Sequence, residues 1–463
     1  MAYSTTDLND TIIALATPPG VGAIGVIRLS GKEAIRIVNE VFPSKDLTKQ
    51  SSHTIHLGTI REEGRILDEL LVSLFKGPRS YTGENVVELS CHGSQYIIQE
   101  LMQLLLKRGA RMAQPGEFTM RAFLNGKLDL SQAEAVADLI SSSSSASHQM
   151  AISQMRGGFS DQIKALRQEL LDFASLIELE LDFSEEDVEF ADRTKLRHLV
   201  EKIQKLIKAL LDSFMLGNVI KQGVQTVIAG RPNAGKSTLL NALLNEDRAI
   251  VSNIAGTTRD TIEESLNIKG IQFRLVDTAG IRDAEDTIEA IGVEKTMEKI
   301  AQSSLLVYVF DVIESGPEQV QSDLERLLKG NMNLLVVANK MDLNPHTKYE
   351  HYASDLLPAS SFVPISAKEK MNVDFLKDKL YKAVLDSSVS LDQTVVSNAR
   401  HFDSLQKAFE SLQEVLAGLD SGISSDFVAM DIRRALGFLG EITGEISTDE
   451  LLGNIFGRFC IGK

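Results

Sequence analysis

Gly230-Arg231-Pro232-Asn233-Ala234-Gly235-Lys236-Ser237 is the stretch whose reading decides the fold. It matches G-x-x-x-x-G-K-S/T, the phosphate-binding P-loop. Gln225-Thr-Val-Ile-Ala229 before it reads as a short buried strand. Thr238-Leu-Leu-Asn-Ala-Leu-Leu244 after it reads as the start of a helix. The motif needs that strand–loop–helix setting. Its glycines let backbone N–H groups turn inward onto phosphates, and the helix N-terminus adds the positive end of its dipole. Lys236 would reach the β- and γ-phosphates, and the Ser237 hydroxyl would bind Mg²⁺. The bland alternative is a Gly-rich turn without a ligand, and the flanks argue against it.

Four further segments follow in the order a GTPase needs. Gly256-Thr257-Thr258-Arg259-Asp260 lies in a polar stretch, where a loop could bring a Thr hydroxyl to Mg²⁺. Phe273-Arg-Leu-Val runs into Asp277-Thr278-Ala279-Gly280; Asp277 would hold Mg²⁺ through water, and the Gly280 N–H would face the γ-phosphate. Leu334–Ala338 is a buried strand running into Asn339-Lys340-Met341-Asp342. The Asp342 carboxylate can accept from both N1–H and the 2-amino group of guanine, donors that adenine lacks, so such a site rejects the wrong base. Ser366-Ala367-Lys368 follows another strand and would back the base. Each segment alone is a weak signal; in this order, on strand ends, they predict GTP. One departure is mechanistic. After Gly280 comes Ile281, where a Ras-like enzyme has its water-positioning Gln. Hydrolysis must then draw its group from elsewhere, and Asp283, Glu285, Asp286 and Glu289 are candidates, each weighed against an ordinary solvated carboxylate.

The 463 residues suggest about three domains. Forty-eight basic against sixty-four acidic residues leave a net charge of −16, which argues against non-specific coating of nucleic acid while leaving room for a local basic patch. Two cysteines, Cys91 and Cys460, cannot make a disulfide framework and point to a reducing interior. The N-terminus lacks a basic and apolar leader pattern, and no apolar run is long enough to span a bilayer. The expectation is a cytoplasmic protein with no transmembrane segment.

Residues 1–120 read as one α/β unit. Its strands are Thr11–Ala16, Gly25–Leu29, His53–Leu57, Glu69–Phe75 and Val86–Ser90, and its helices Glu33–Phe42 and Gln95–Lys107. Gly20-Val-Gly-Ala-Ile-Gly25 has the form G-x-G-x-x-G, but a strand pattern follows it rather than a helix, so a Pro-Pro-Gly turn is the better reading. From Asp129 the pattern is helical. Ser131–Glu134 and Ser447–Glu450 both read as capping boxes. Ser141–Ser145 reads as a solvated helix face or loop, and Ser184–Glu189 as an acidic solvated loop rather than a metal site. One apolar stripe carries Ile163, Leu166, Leu170, Phe173, Ile177 and Leu181, and a second carries Leu196, Leu199, Ile203, Leu206 and Leu210. Helices return after the nucleotide segment, with Leu405, Phe409, Leu412, Leu416 and Leu419, then Val428, Ile432, Leu436 and Leu439, then Leu451, Ile455 and Phe459. Both blocks are expected to pack as one bundle, with two separate bundles as the alternative. The fold class is then α/β and all-α multidomain: an α/β domain (1–120), a helical part (121–215), an inserted P-loop GTPase domain with a mostly parallel sheet (216–383), and a second helical part (384–463).

These residues resemble the MnmE (TrmE) family of tRNA-modification GTPases along essentially the whole chain. The resemblance rests on Asp10–Gly20, Ser80–Leu89, Pro115–Thr119, Arg121–Leu130, the P-loop as it stands, and the final Cys460-Ile-Gly-Lys463. It implies a homodimer built through the N-terminal domain. That domain would bind a 5-formyl- or 5,10-methylene-tetrahydrofolate one-carbon donor through Arg28, Glu88 and Lys127, with Lys463 reaching in. It also implies a heterotetramer with the FAD-dependent partner MnmG, installing an aminomethyl or carboxymethylaminomethyl group at C5 of a tRNA wobble uridine. K⁺ would stand in for an arginine finger, held by Asn233 and by backbone oxygens of Ser252, Ile254 and Thr257. Thr258 would join Ser237 at Mg²⁺. The GTP contacts implied are Asn233, Ala234, Gly235, Lys236, Ser237, Thr238, Ser252, Asn253, Ile254, Ala255, Gly256, Thr257, Thr258, Asp277, Thr278, Ala279, Gly280, Asn339, Lys340, Asp342, Ser366, Ala367 and Lys368. Glu289 matches the catalytic glutamate, orienting water. Cys460 would serve the modification chemistry, against a plain small apolar residue on a capped helix. The rival readings are a ribosome-assembly or regulatory switch whose flanks only bind partners, and a folate-dependent transferase regulated by GTP.

Overall fold

A computed structural model of the chain describes residues 9–182, 192–247, 263–277, 303–328, 332–384 and 394–462. These fall into two compact units, one from residues 1–137, 153–203 and 407–463, the other from 138–152 and 204–406.

The first unit opens with a six-stranded sheet in the order β3-β4-β5-β2-β1-β6. The strands are β1 (Thr11–Leu15), β2 (Ile24–Ser30), β3 (Thr54–Glu62), β4 (Arg65–Phe75), β5 (Val86–His92) and β6 (Ala110–Met112). All neighbours are antiparallel except β1 and β6. Alternation puts Ile27, Leu29, Val72, Leu74, Val87 and Leu89 on one face, where α1 (Ala34–Val41) and α2 (Gln95–Lys107) bury them. The period-2 pattern locates five strands but not β6, whose three residues are too short to show a period. Gly20–Gly25 leads straight into β2, as the turn reading expects.

The helices of this unit come from both ends of the chain. They are α3 (Glu117–Leu124), α6 (Gly158–Asp182), α13 (Ser425–Thr443) and α14 (Asp449–Phe456), with parts of α4 (Leu130–Ser141), α5 (Ser145–Met155), α7 (Arg193–Asp212) and α12 (Ala399–Ser421). Arg433 on α13 pairs with Glu178 on α6 at 2.7 Å, Arg167 pairs with Glu445 at 2.5 Å, and Arg193 donates to Ser425 at 2.9 Å. Blocks on either side of the nucleotide segment therefore pack together.

Three local expectations change. The stripe of α7 that is buried is Leu196, Val200, Ile203, Ile207 and Leu210, while Leu206 is exposed. Leucines adjoin the true face, and β-branched residues complete it. The cap of α4 is Asp129, which accepts from the Gln132 N–H while Gln132 accepts from the Asp129 N–H, each at 2.9 Å. Ser131 is instead buried inside the helix. The last helix is capped by Thr448, which accepts from Leu451 N–H at 3.3 Å, rather than by Ser447. The acidic loop Ser184–Glu189 lies outside the described residues.

The second unit holds a six-stranded sheet in the order β12-β11-β10-β7-β9-β8. Its strands are β7 (Val224–Ala229), β8 (Glu263–Ile268), β9 (Ile271–Asp277), β10 (Leu305–Asp311), β11 (Asn333–Asn339) and β12 (Phe362–Pro364). All pairings are parallel except the β8 edge. Parallel strands covered on both faces read as continuous apolar runs, and Leu305–Asp311 is buried at every position. The covering helices include α8 (Phe214–Gln222), α9 (Lys236–Asp247), α10 (Pro317–Leu327) and α11 (Val373–Val384). The Ser141–Ser145 tract is mostly solvated, as expected, but makes contacts as well. Ser143 donates to Gln272, Ala146 N–H donates to Gly270 at 3.3 Å, and Ser144 is buried. Ser141, Ser143 and Ser145 remain exposed, so the tract is a solvated face with one edge set against the β8–β9 turn.

Candidate functional sites

Parallel register brings the motifs to one edge. Ile228 lies beside Asp277, Asp311 beside Asn339, and Ala338 beside Pro364, so the carboxyl ends of β7, β9, β10, β11 and β12 lie along one edge of the sheet. The sequence order of neighbours reverses around β7, and open α/β sheets bind ligands at such a point.

The P-loop leaves β7 and enters α9 with Asn233 and Gly235 both at positive φ, 61° and 90°. A Cβ on Gly235 would sit 2.2 Å from the Asn339 amide nitrogen, so glycine is required there. Lys236 Nζ donates to the carbonyls of Gly230 (2.9 Å) and Arg231 (2.8 Å), bracing the loop from inside. Ser237 and Thr238 are exposed on the first turn of α9, and Asn233 is exposed at the loop crest. Arg231, a filler position of the motif, makes two bonds to Asp323 of α10 (2.7 and 3.1 Å), and the Tyr308 hydroxyl donates to the same carboxylate at 2.7 Å. Burial pushes Asp323 up, but Arg231 and Tyr308 outweigh it and hold the carboxyl below its usual range.

Asn339 is buried and acts as a strut. Its amide donates to Ala234 O at 2.8 Å and its oxygen accepts from Ala367 N–H at 3.0 Å, joining the P-loop to the Ser366 loop. Lys340, at φ 67°, pairs with Asp311 at 2.6 Å. Asp342 is exposed, and one oxygen accepts from the buried Ser366 hydroxyl at 2.6 Å. That bond aims the carboxylate. Lys368 is exposed beside it. Ser252, Asn253, Ile254, Ala255, Gly256, Thr257, Thr258, Thr278, Ala279, Gly280, Asp283, Glu285, Asp286 and Glu289 lie outside the described residues; of Asp277, only its place in β9 is described.

A second site forms in the first unit. Arg28 on β2 stands opposite Glu88 on β5, and they pair at 2.8 Å. The Arg28 guanidinium lies 5.5 Å from the Tyr81 ring centre and 5.8 Å from that of Phe118. It also donates to the Gly462 carbonyl at 3.4 Å, so the C-terminal tail reaches this sheet. Gly116 anchors the tail: its N–H donates to Cys460 O at 3.3 Å, and its φ of 67° and the Phe456 carbonyl 2.5 Å from any Cβ exclude a side chain. Cys460 is an exposed free thiol, whereas Cys91 is buried and pushed up to about 11 by burial. Lys127 donates to Pro78 O at 3.0 Å, on the loop that carries Tyr81. Lys463 lies outside the described residues.

The loop bearing Tyr81 is held by a network that motif reading misses. Arg121, 1% exposed, bonds Asp10, Glu84 and Glu117. Arg111 bonds Asp10 and Glu117, and Glu84 accepts from Ser30. Burial pushes Glu117 up, but hydrogen bonds from Arg111, Gln114 N–H and Arg121 hold it below the usual range. The available signal was charge: Glu117 and Arg121 interrupt an otherwise apolar helix. No group of three or more His, Cys, Asp or Glu among the described residues could hold a metal ion, and none of the described helices is long and apolar enough to cross a membrane.

The fold and the first site define a P-loop nucleotide-binding protein with a guanine-type base loop. Comparison with known proteins narrows this. The model "GTP-binding protein TrmE N-terminus" matches residues 11–127, and "MnmE helical domain" matches 130–460. The chain is 57% identical over 460 residues to the tRNA modification GTPase MnmE of Cytophaga hutchinsonii, covering 99% of each chain. It is 57% identical to that of Flavobacterium johnsoniae (98% of this chain, 99% of the relative) and 51% to that of Bacteroides thetaiotaomicron (98% and 100%). The chain belongs to the MnmE/TrmE family of tRNA modification GTPases.

Proposed function

We propose that this protein is a K⁺-activated GTPase that, with an FAD-dependent partner of the MnmG type, adds an aminomethyl or carboxymethylaminomethyl group to C5 of a tRNA wobble uridine, using a tetrahydrofolate one-carbon unit. The observation that carries this reading is the meeting of Arg28, Glu88 and the Cys460–Gly462 tail on one sheet face, in a chain that also builds a guanine-type nucleotide site. A plain regulatory switch gives no reason for the tail that carries Cys460 to be tied to the Arg28–Glu88 pair.

In the nucleotide site, Asp342 accepts from the guanine edge while Ser366 holds the carboxylate in place. Lys236 exchanges two loop carbonyls for phosphate oxygens. Ser237 and Thr258 would hold Mg²⁺, which when bound neutralises charge on the phosphates. Asn233 fits a K⁺ ligand: its exposed amide makes no hydrogen bond among the described residues, and its left-handed backbone lifts it to the loop crest. Ser252, Ile254 and Thr257 complete that reading. Glu289 orients water in place of the Gln that Ile281 displaces.

In the second site Arg28 is already neutralised by Glu88, so the pair suits the polar heterocycle of a folate better than its carboxylates. Lys127, with no carboxylate partner among the described residues, suits the glutamate end. Ile55, Leu57 and Leu71 form an exposed apolar group on β3 and β4, which favours a homodimer through this domain. We further propose the domain limits 1–120, 121–215, 216–383 and 384–463, and a cytoplasmic setting. The decisive experiment is mass spectrometry of wobble nucleosides in cells lacking the protein; unchanged C5 modification overturns the reading. For K⁺, turnover equal in Na⁺ and K⁺, or a preference that survives Asn233→Ala, overturns the ion assignment. For Glu289, wild-type turnover in Glu289→Ala removes it from the mechanism.

A further inference from the structure

Most cations around the N-terminal sheet have carboxylate partners. Arg28, Arg36, Arg65, Lys107, Arg108, Arg111 and Arg121 are all paired with Asp or Glu. Six have none among the described residues; Lys45 and Arg61 stand apart, and the other four, Lys32, Lys76, Arg79 and Lys127, lie around the neck of the loop from Lys76 to Asn85. Lys127 Nζ donates to Pro78 O at 3.0 Å, Lys76 Nζ to Thr48 O at 3.1 Å, and Lys32 Nζ to Asn9 Oδ1 at 3.0 Å. Arg79 is exposed and makes no hydrogen bond or ion pair among the described residues. These partners are neutral, so the positive charge is uncompensated, and each ammonium keeps further donors free.

The neck is compact. Asn85 bridges Lys32 O (3.3 Å) and Gly77 N–H (3.2 Å), and Gly83 lies against the stem of Lys127, whose Cγ is 3.4 Å from the position a Cβ would take. The loop's only carboxylate, Glu84, is turned away to Arg121 and Ser30. Gathering like charges costs free energy, and a chain with a net charge of −16 has carboxylates to spare. A multiply charged anionic ligand accounts for their absence here.

Resting on the one-carbon-donor reading of Arg28, Glu88 and Lys127, we propose that Arg79, Lys76 and Lys32 continue the site outward as a track for a chain of γ-linked glutamates on the folate. Each added glutamate carries one free α-carboxylate, and beyond Lys127 the track supplies three cations to meet them. An RNA backbone is the rival polyanion. It favours a long stripe of cations, whereas these close around a single loop and adjoin Lys127.

The test is calorimetry on the full-length protein at low salt, with 5-formyl-tetrahydrofolate as the monoglutamate and as the pentaglutamate. The pentaglutamate binds about tenfold more tightly, as three exposed ion pairs predict. That advantage shrinks at high salt. The variant carrying Arg79→Gln, Lys76→Gln and Lys32→Gln binds both forms with the wild-type monoglutamate affinity, and its thermal melt confirms that it is folded. Equal wild-type affinities for the two forms overturn the track and leave the donor reading standing. Absence of heat with either form overturns the donor reading and the track with it. Loss of tRNA binding by the variant, with no folate-length preference in the wild type, overturns the track in favour of RNA.

Discussion

The nucleotide loop runs through consecutive residues, Gly230 to Ser237, whereas Arg28 meets Glu88 sixty positions away and Gly462 434 positions away. The first binds through backbone N–H groups and helix ends, so local conformation supplies most of the geometry. The second is made of side chains brought together by strand register and by the returning tail. Short-range chemistry is legible as a motif, and long-range chemistry is not.

The comparison predicts that single changes in the nucleotide loops act locally and strongly. Asp342→Ala removes two charge-assisted bonds to guanine, each worth about 1.5–3 kcal/mol, so GTP affinity falls about 10²–10⁴-fold. A fluorescent-nucleotide titration measures this, and a loss below tenfold would separate Asp342 from base recognition. Changes in the first unit should instead act on stability. Arg121→Met leaves Glu117 and Asp10 with a lost buried partner and costs about 3–5 kcal/mol in urea unfolding, with GTP affinity unchanged. If GTP binding falls in step, the two regions are not independent.

The same network sets an acid limit. Glu117 and Asp10 are held below their usual values of 4.5 and 3.8. Depressed carboxyl groups contribute stability that is complete above those values and lost as pH falls through the lowered ones. Circular dichroism from pH 6 to pH 2 should therefore show this region unfolding below about pH 4, and Glu117→Gln should flatten the fall. Removing residues 460–463 deletes the Gly462 contact and should weaken binding of a tetrahydrofolate about fivefold by calorimetry while sparing GTP. The smallest effect is expected for Tyr308→Phe, which removes one of the three hydrogen bonds to Asp323 and costs about 1 kcal/mol in thermal unfolding. No shift would mean that Arg231 alone holds the P-loop to α10.

Legibility followed the range of the interaction. Leu305–Phe310 is recognisable because a strand buried on both faces is a continuous apolar run. On α7, leucine spacing points one step off because leucines flank the true face, and only packing chooses between Leu206 and Ile207. The Ser141–Ser145 tract looks solvated by composition and mostly is, yet composition does not show that Ser144 is buried or that Ser143 bonds Gln272. Asp129 with Gln132 and Ser131 with Glu134 offer the same local capping pattern, and only the folded chain selects Asp129.

By itself the chain specified the P-loop, the guanine-type loop, the strands that carry them, five strands of the first sheet, and the family. Those features depend on backbone geometry and residue spacing within a few positions. Tertiary structure alone decided that Arg28 is neutralised by Glu88, that the Cys460 tail returns to the first sheet, that Arg121 sits buried among carboxylates, and that four cations around Lys76–Asn85 have no carboxylate partner among the described residues. Pairing of charges depends on distance through space, and spacing along the chain does not encode that distance.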